Sequence, residues 1–376
     1  MTKTATRHVC RNCGHESAKW LGRCPGCDSY DTFDETQAPS PRKSASFGSR
    51  REGAPIRSGV TLQPESLQGR APPPPRIDTG HPELDRALGG GLVEGSATLI
   101  GGAPGAGKST LLLQVAARIS ASRMVVYMTG EESLDQVQRR ARRLSLADAG
   151  VGIVASNDCL AIADHIESMP SGSVAIVDSI QVMNAGLESA PGSVGQVKAS
   201  ANALIPAAKA ANVALIVVSH VTKEGSLAGP NTLMHAVDTT LQLETDTAAG
   251  IYRLVRSDKN RFGAVNEVGV FEMTDSGLVD VENPSELFLS QRDDTAFGSV
   301  IYPSMEGSRP LLLEVQALVA PTSFGTGRRS ATGWETGRLN MLLATIAARL
   351  GIPMLESDVY VNVAGGLKVT DPAMDL

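Results

Sequence analysis

Two pairs of cysteines near the amino terminus have the residue type and spacing of a metal site. Cys10 and Cys13 are separated by two residues, as are Cys24 and Cys27, and ten residues lie between the pairs. Turns of this spacing can direct four thiolates at one point, giving the tetrahedral sulfur shell of a closed structural site. A redox pair or unrelated thiols are the alternatives, and the pattern favours bound Zn²⁺.

A second stretch has the pattern of a phosphate-binding loop, G-x-x-x-x-G-K-[ST]. It lies between an apolar run at residues 97–100 and an apolar helical pattern at residues 110–119, the context that the motif requires. Backbone N–H groups of such a loop converge on a phosphate, the lysine reaches the β- and γ-phosphates, and the next hydroxyl ligates Mg²⁺. The sequence therefore predicts a site for a nucleoside triphosphate. Its residues are Gly102, Ala103, Pro104, Gly105, Ala106, Gly107, Lys108, Ser109 and Thr110.

Acidic side chains follow two other apolar runs of the same segment. Asp178 ends the run at 174–177, where a carboxylate would hold the metal through water, although an Asp that caps the next turn is the alternative. Glu131 and Glu132 follow the run at 124–128, and the carboxyl ends of strands form the ligand crevice of an open α/β sheet. We expect Glu131, with Glu132 second, to activate the attacking water. Two solvated acids at a helix start are the alternative.

The composition sets limits on the protein that carries these residues. The chain has 376 residues, of which 42% are hydrophobic and 20% charged, values typical of a globular protein. Neither a bilayer-spanning apolar run of ~20 residues nor the apolar core of a secretory signal occurs. Four of the five cysteines cluster within 18 residues, which favours a reduced compartment. We therefore expect a cytoplasmic protein without membrane contact.

The chain divides into four segments by composition. Residues 1–36 form the cysteine-bearing unit, and residues 37–76 are a basic Pro- and Ser-rich linker. Strand and helix patterns alternate over residues 77–282, which predicts an α/β fold with a parallel sheet. Residues 283–376 have Gly- and Pro-punctuated strands and one helix near 336–350, which predicts an α+β unit. The net charge of −6 combines +5 over residues 1–76 with −11 over the rest, so nucleic-acid contacts would need local basic patches.

Together these residues resemble the RadA/Sms family of bacterial DNA repair ATPases related to RecA. The resemblance covers the whole chain and includes the cysteine ribbon at 10–27, the segment DRALGGGLVEGS at 85–96 and TGEES at 129–133. It also includes KNRFG at 259–263, a signature of the family. The resemblance implies a RecA-like P-loop ATPase core that binds ATP, preceded by a zinc ribbon and followed by a Lon-protease-like domain.

The resemblance also implies a homo-oligomeric ring, expected to be a hexamer, with ATP bound between subunits. Lys259 and Arg261 would then reach the γ-phosphate held by the neighbouring subunit, whereas the residues alone favour a surface pair of basic side chains. His220 follows the strand pattern at 215–219, where RecA-like proteins place a polar γ-phosphate sensor. A structural histidine is the alternative.

Contacts with DNA would come from two Gly-containing loops, at residues 181–195 and 221–233, with Lys223 as one contact. Neither loop contains an aromatic residue for base stacking, so we expect binding that is largely independent of sequence. A basic helix is a second candidate, with a solvated helix face as the alternative. Its arginines are Arg139, Arg140, Arg142 and Arg143.

Two features depart from the Lon protease pattern. Ala373 occupies the position of the nucleophilic Ser, so we expect a scaffold for assembly and DNA binding without proteolysis. The chain ends at Leu376, before the family's domain would end. On this basis we expect an incomplete domain that leaves apolar surface at 359–363 uncovered and oligomerises poorly.

The resulting hypothesis is a DNA-dependent ATPase of homologous recombination and repair. By resemblance it binds single-stranded and branched DNA and stimulates branch migration of the strand exchange carried out by its partner, the RecA recombinase. A nucleotide-gated adaptor that recruits a partner through the zinc ribbon is one alternative. A Lon-type ATP-dependent protease is another, which Ala373 disfavours.

Overall fold

The computed structural model describes two compact units, Met1–Pro75 and Arg76–Leu376. Within the residues described, no helix has the length and apolar character that a membrane span requires. The described residues are 6–11, 15–17, 19–37, 73–220, 231–245, 250–289, 297–322, 327–364 and 369–375.

The first unit is a small antiparallel sheet that carries cysteines. Strand β1 (Thr6–Cys10) lies between β2 (Glu16–Ser17) and β3 (Phe33–Gln37), and Cys10 pairs with Phe33. The buried residues described in this unit are Cys10, Cys24 and Phe33. Because so small an apolar core stabilises a fold only weakly, we expect a metal crosslink to contribute much of its stability.

The second unit is organised around a nine-stranded sheet. The strand order is β14-β13-β12-β11-β6-β10-β9-β7-β8, and the strands from β11 to β8 in this order are parallel. Strands β12, β13 and β14 extend the sheet in antiparallel fashion. A separate pair, β4 (Arg76–Ile77) and β5 (Leu92–Val93), precedes it. The nine strands are β6 (Ala97–Gly102), β7 (Val125–Thr129), β8 (Val151–Ala155), β9 (Val174–Asp178), β10 (Ala214–Val218), β11 (Thr239–Thr245), β12 (Tyr252–Asn260), β13 (Val268–Thr274) and β14 (Gly277–Asp280).

Helices cover both faces of this sheet, as the continuous apolar runs predict. In β9, Val174 and Ile176 face one core while Ala175 and Val177 face the other. The first core contains α1, α2 and α3, and the second contains α4 and α5. The helices of the α/β region are α1 (Pro82–Leu88), α2 (Lys108–Ile119), α3 (Leu134–Arg143), α4 (Cys159–Ser168), α5 (Val194–Ala210) and α6 (Asn231–Ala236).

A four-stranded sheet with two helices follows, and it has the expected α+β character. Its strand order is β15-β16-β18-β17, and the observed α8 has the bounds expected for the helix at 336–350. Its core continues into Leu254, Val268 and Val270 of the nine-stranded sheet. The elements are α7 (Pro284–Leu289), β15 (Ser299–Glu306), β16 (Arg309–Pro321), β17 (Arg329–Thr332), α8 (Thr336–Leu350) and β18 (Ser357–Val363).

The expectation of uncovered apolar surface at 359–363 is wrong for the valines of this segment. Val359, Val361 and Val363 are buried, with exposed fractions of 2%, 6% and 0%. The cause is the two-residue period of β18, which places all three valines on the face covered by α8 residues such as Leu339. The opposite face carries Tyr360, which is 37% exposed.

Candidate functional site

The phosphate-binding pattern forms the predicted loop between β6 and α2. Gly107 has φ 106° and is the N-cap of α2, which begins at Lys108, two residues earlier than the apolar pattern predicts. A Cβ atom at Gly102 would lie 2.5 Å from the Leu243 carbonyl oxygen, and one at Gly107 would lie 2.7 Å from Met273. Glycine is therefore required at both ends of the loop. The amide groups of the first turn of α2 have no intrahelical partner and are suited to hold an anion.

Lys108 folds back onto the loop that precedes it. Its Nζ donates to the carbonyl oxygens of Gly102 at 2.7 Å and Ala103 at 3.0 Å. Burial lowers the pKa of this ammonium, while the charges of Asp178 and Glu131 act in the opposite direction. The structure thus brings three predicted residues into one electrostatic cluster, from the start of α2, the end of β9 and the segment after β7.

Asp178 is buried at the end of β9 and is held by a residue that sequence reasoning missed. The Tyr127 hydroxyl donates to Asp178 Oδ2 at 2.5 Å, and it is also hydrogen-bonded to the Ser109 side chain. Burial, with the neighbouring Asp178 charge, raises the pKa of Tyr127 well above 10, so the phenol stays protonated and donates. Tyr127 therefore connects the two side chains predicted to hold Mg²⁺. The signal available in the sequence was the hydroxyl-bearing Tyr127 within the apolar run of β7.

The two glutamates after β7 have different partners. Glu131 Oε1 accepts a hydrogen bond from Ser179 Oγ and lies 3.2 Å from His220 Nε2. Glu132 Oε1 instead forms an ion pair with Arg140 of α3. Glu131 thus lies with Lys108 and His220, while Glu132 is directed to the neighbouring helix. Ser179 is a further contact that the sequence did not reveal.

Arg253 supports the loop from the antiparallel part of the sheet. Its Nε donates to the Ala106 carbonyl oxygen at 2.9 Å, and the side chain is buried. Sequence reasoning missed it because the pairing of β12 with β11, which brings it beneath the loop, cannot be read from chain order.

Lys259 and Arg261 lie away from the phosphate loop of their own chain. Asn260 pairs with Thr239, which pairs with Thr98 near the start of β6, whereas the loop begins at Gly102. Thr98 and Gly102 are four residues apart along β6, a distance on the order of 13 Å. The two basic residues are therefore at the opposite end of the sheet from the Lys108 cluster.

Both basic residues have partners within the chain. Lys259 Nζ donates to the carbonyl oxygens of Met234, His235 and Val237, at 2.8, 3.2 and 2.7 Å. Arg261 Nη1 lies 3.0 Å from Asp238 Oδ1, and its side chain is 53% exposed. Lys259 is thus tied to the end of α6, while Arg261 remains accessible from outside.

The loops expected to contact DNA are described only in part. Lys223 and the rest of 221–230 lie outside the described residues. In the other loop, the buried Gln196 side chain accepts from the Ala185 amide at 2.9 Å and donates to the Ser189 carbonyl at 2.9 Å. This loop is therefore tethered to α5, an arrangement that no sequence pattern indicated.

The cysteine cluster of the first unit has the geometry of a metal site. The sulfur atoms of Cys10, Cys24 and Cys27 all lie within 4.8 Å of one another, and those of Cys10 and Cys27 are 3.7 Å apart. Tetrahedral sulfur ligands at ≈ 2.3 Å from zinc would be about 3.8 Å apart. The Gly26 amide donates to Cys24 Sγ at 3.4 Å. The described thiols fit zinc, and Cys13 lies outside the described residues.

Ala373 lies in a 3-10 turn, Pro372–Asp375, and its methyl group is exposed. Its amide donates to Asp371 Oδ1 at 2.9 Å. A methyl group cannot attack a peptide bond, so this position offers no nucleophile.

Two family models match the chain. Residues 70–226 match a family described as an AAA domain, and residues 8–35 match one described as a rubredoxin metal binding domain. Among solved structures, the RadB recombinase is 24% identical, with a TM-score of 0.45 over 55% of this chain and 99% of that one. A KaiC-like protein of Pyrococcus horikoshii is 19% identical, with a TM-score of 0.47 over 56% of this chain and 100% of that one.

Curated proteins match over the whole chain. The DNA repair protein RadA of Rickettsia bellii is 46% identical over 100% of this chain and 82% of that protein. The DNA repair protein RadA of Bacillus subtilis is 44% identical over 100% of this chain and 81% of that protein. That of Haemophilus influenzae is 46% identical over 99% of this chain and 80% of that protein. With this identity over nearly its full length, and with a phosphate loop and a cysteine cluster in place, the chain belongs to the family of the DNA repair protein RadA.

Proposed function

We propose that this protein is a DNA-dependent ATPase that acts in homologous recombination and repair. The observation that carries the proposal is the cluster of Lys108, Asp178 and Glu131 beside the phosphate loop, in a chain whose relatives are named DNA repair proteins. The match to an AAA domain and the RadA family support ATPase activity. The dependence of that activity on DNA is the finer part of the proposal.

Each residue of the cluster has a separate role in hydrolysis. Lys108 leaves its two carbonyl partners and binds the β- and γ-phosphates of ATP. Glu131 accepts a proton from a water whose oxygen attacks the γ-phosphorus, and the bond to the β–γ bridging oxygen breaks to give ADP and phosphate. Ser179 and His220 hold the Glu131 carboxylate in place for this transfer.

Ser109 and Asp178 are the residues that would hold Mg²⁺. Their fit is supported by the Tyr127 hydroxyl, which is hydrogen-bonded to both side chains. When bound, Mg²⁺ offsets negative charge on the phosphates. Cys10, Cys13, Cys24 and Cys27 would hold Zn²⁺, whose role in such a closed sulfur site is structural.

Lys259 and Arg261 act on ATP bound by a neighbouring subunit of a ring, which we expect to be a hexamer. Their position at the far end of the sheet supports this role, because they cannot approach the phosphate loop of their own chain. Arg261 is the better candidate of the two. The Arg261 side chain is half exposed. If it left Asp238 to reach the neighbouring subunit, Asp238 would still have its ion pair with Lys209, at 3.0 Å.

The polymer that stimulates hydrolysis is single-stranded or branched DNA, with the RecA recombinase as partner in branch migration. This part of the proposal rests on the names of the relatives and on the family resemblance. Lys223 remains a proposed DNA contact. A proteolytic role is not proposed, because Ala373 offers no nucleophile.

Steady-state ATP hydrolysis with and without a single-stranded oligonucleotide tests the proposal. We expect stimulation by DNA in the wild type and loss of hydrolysis in Lys108→Ala, since the lysine supplies charge that the γ-phosphate needs. Hydrolysis that DNA leaves unchanged, in protein that binds a partner only with ATP, would support the adaptor function instead. Normal hydrolysis by Lys108→Ala would exclude this nucleotide site.

A further inference from the structure

An open groove lies beside α3, and its lining is strongly cationic. Gln136, Arg139, Arg140 and Arg143 follow one another at helical intervals along one face, and Glu132, just before the helix, completes the lining. These five lining residues are all polar or charged. The groove therefore presents guanidinium groups to an incoming ligand, and its lining includes no aromatic or aliphatic residue.

The charges at this groove are only partly compensated. Arg139 pairs with Asp135 at 2.8 Å in a largely exposed contact, which water screens. Arg143 is exposed and has no ion pair in the part of the chain that the structure describes. With four arginines against one aspartate, α3 is a local cationic feature on a protein whose net charge is −6. Its attraction for an anion is thus confined to this face.

Arg140 forms the floor of the groove and has unused hydrogen-bonding capacity. Its side chain is 18% exposed, and one terminal nitrogen contacts Glu132. The other nitrogen, Nη1, is buried without a hydrogen-bond partner among the described residues, as is Glu132 Oε2. A guanidinium has five N–H donors in a planar fork that fits phosphate oxygens. The accessible part of this guanidinium, together with the exposed Arg139 and Arg143, is suited to bind a phosphate.

We propose that this groove on α3 binds a backbone phosphate of a nucleic acid strand. The inference rests on the proposed DNA-dependent function, and it narrows the basic helix that was the second candidate for DNA contact to the face that lines the groove. Because Glu132 directly follows Glu131 in the chain, the bound nucleic acid would lie close to Glu131, the residue proposed to activate water. An acidic protein is the other ligand class with suitable charge. The groove disfavours it because protein interfaces rely on aromatic and apolar anchors, which this lining lacks.

Neighbouring residues of α3 provide a matched pair of variants. Arg143 lines the groove, whereas Arg142 is also exposed but is not among its lining residues. Arg143→Ala and Arg142→Ala remove the same charge from the same turn of helix. A general electrostatic effect would weaken both variants equally, while a groove contact would weaken Arg143→Ala alone.

The measurement is fluorescence anisotropy of a labelled oligo-dT strand with the full chain, over a range of salt concentrations. For Arg143→Ala we expect about tenfold weaker binding at low salt and a salt slope reduced by about 0.7, the value for one lost phosphate contact on a single strand. For Arg142→Ala we expect less than a twofold change (~0.4 kcal/mol) and an unchanged slope. Thermal unfolding of both variants checks that the fold is intact.

Each result decides the proposal. Equal weakening by both variants, or wild-type affinity in Arg143→Ala, would overturn the groove contact while leaving DNA binding by the protein intact. No binding of oligo-dT by the wild type would overturn the proposed function itself and this inference with it. Labelled polyglutamate that binds more tightly than oligo-dT, and does so through Arg143, would reassign the groove to an acidic protein.

Discussion

Replacement of Tyr127 by Phe tests whether this buried phenol positions the carboxylate predicted to hold Mg²⁺. The change removes one hydroxyl and leaves the ring, so packing of the side chain, which is 0% exposed, is retained. Asp178, itself only 6% exposed, then loses the donor to Oδ2. A hydrogen bond to a charged group contributes about 1.5–3 kcal/mol. We expect the free energy of unfolding to fall by about that amount in the absence of nucleotide.

The same loss should appear in the response to magnesium. Without the Tyr127 hydroxyl, Asp178 is free to rotate, so the Mg²⁺ concentration that half-saturates binding of a fluorescent ATP analogue should rise roughly tenfold or more. Tyr360→Phe is the control, because it makes the same chemical change on the outer face of β18, where Tyr360 is 37% exposed. Wild-type stability together with a wild-type Mg²⁺ requirement in Tyr127→Phe would refute the positioning role.

Other predictions concern the glutamates, a buried aspartate and the cysteines. Glu131→Gln should lower kcat by about 10²–10⁴-fold with little change in ATP affinity. Glu132→Gln should lower kcat less, because the Glu132 carboxylate is paired with Arg140. Single-turnover kinetics and nucleotide binding measure both effects, and equal losses of kcat in the two variants would show that the assignment is wrong. Burial raises the pKa of Asp85 from 3.8 to about 6, so its protonation stabilises the folded state below pH 3.8 and this contribution is lost as pH rises through 6. The melting temperature of the wild type relative to Asp85→Asn should therefore fall as pH rises from 3.8 to about 6 and then level off, and a difference independent of pH would contradict it. Cys24→Ser should lose bound zinc, which elemental analysis of the purified protein would measure, and full zinc content would exclude the four-sulfur site.

Local patterns in the sequence predicted much of the fold. The phosphate loop, the α/β alternation and the α8 helix all depend on contiguous residues, and the structure has each of them. The three described cysteines likewise come together because two short turns are enough to bring their thiols to one point. Motif, strand and helix signals of this kind do not require knowledge of which strands are neighbours.

The residues that sequence reasoning missed depend on strand order. Tyr127 reaches Asp178 because β7 lies next to β9 in the sheet, although β8 separates them along the chain. Arg253 reaches the loop because β12 pairs with β11 beside β6. The error at 359–363 has a similar origin, because which face of β18 is covered depends on where α8 packs. Such contacts are long-range, and no local pattern identifies them.

We propose that ATP is hydrolysed between subunits, with Arg261 of one subunit acting on the nucleotide site of the next. Mixing Lys108→Ala protein with Arg261→Ala protein, in the presence of single-stranded DNA, tests it most directly. Each variant alone should be inactive, while equal mixing into a ring should restore about a quarter of the wild-type rate, since one interface in four then joins an intact site to an intact arginine. Mixed rings without activity, or full activity of Arg261→Ala alone, would rule out hydrolysis between subunits through Arg261.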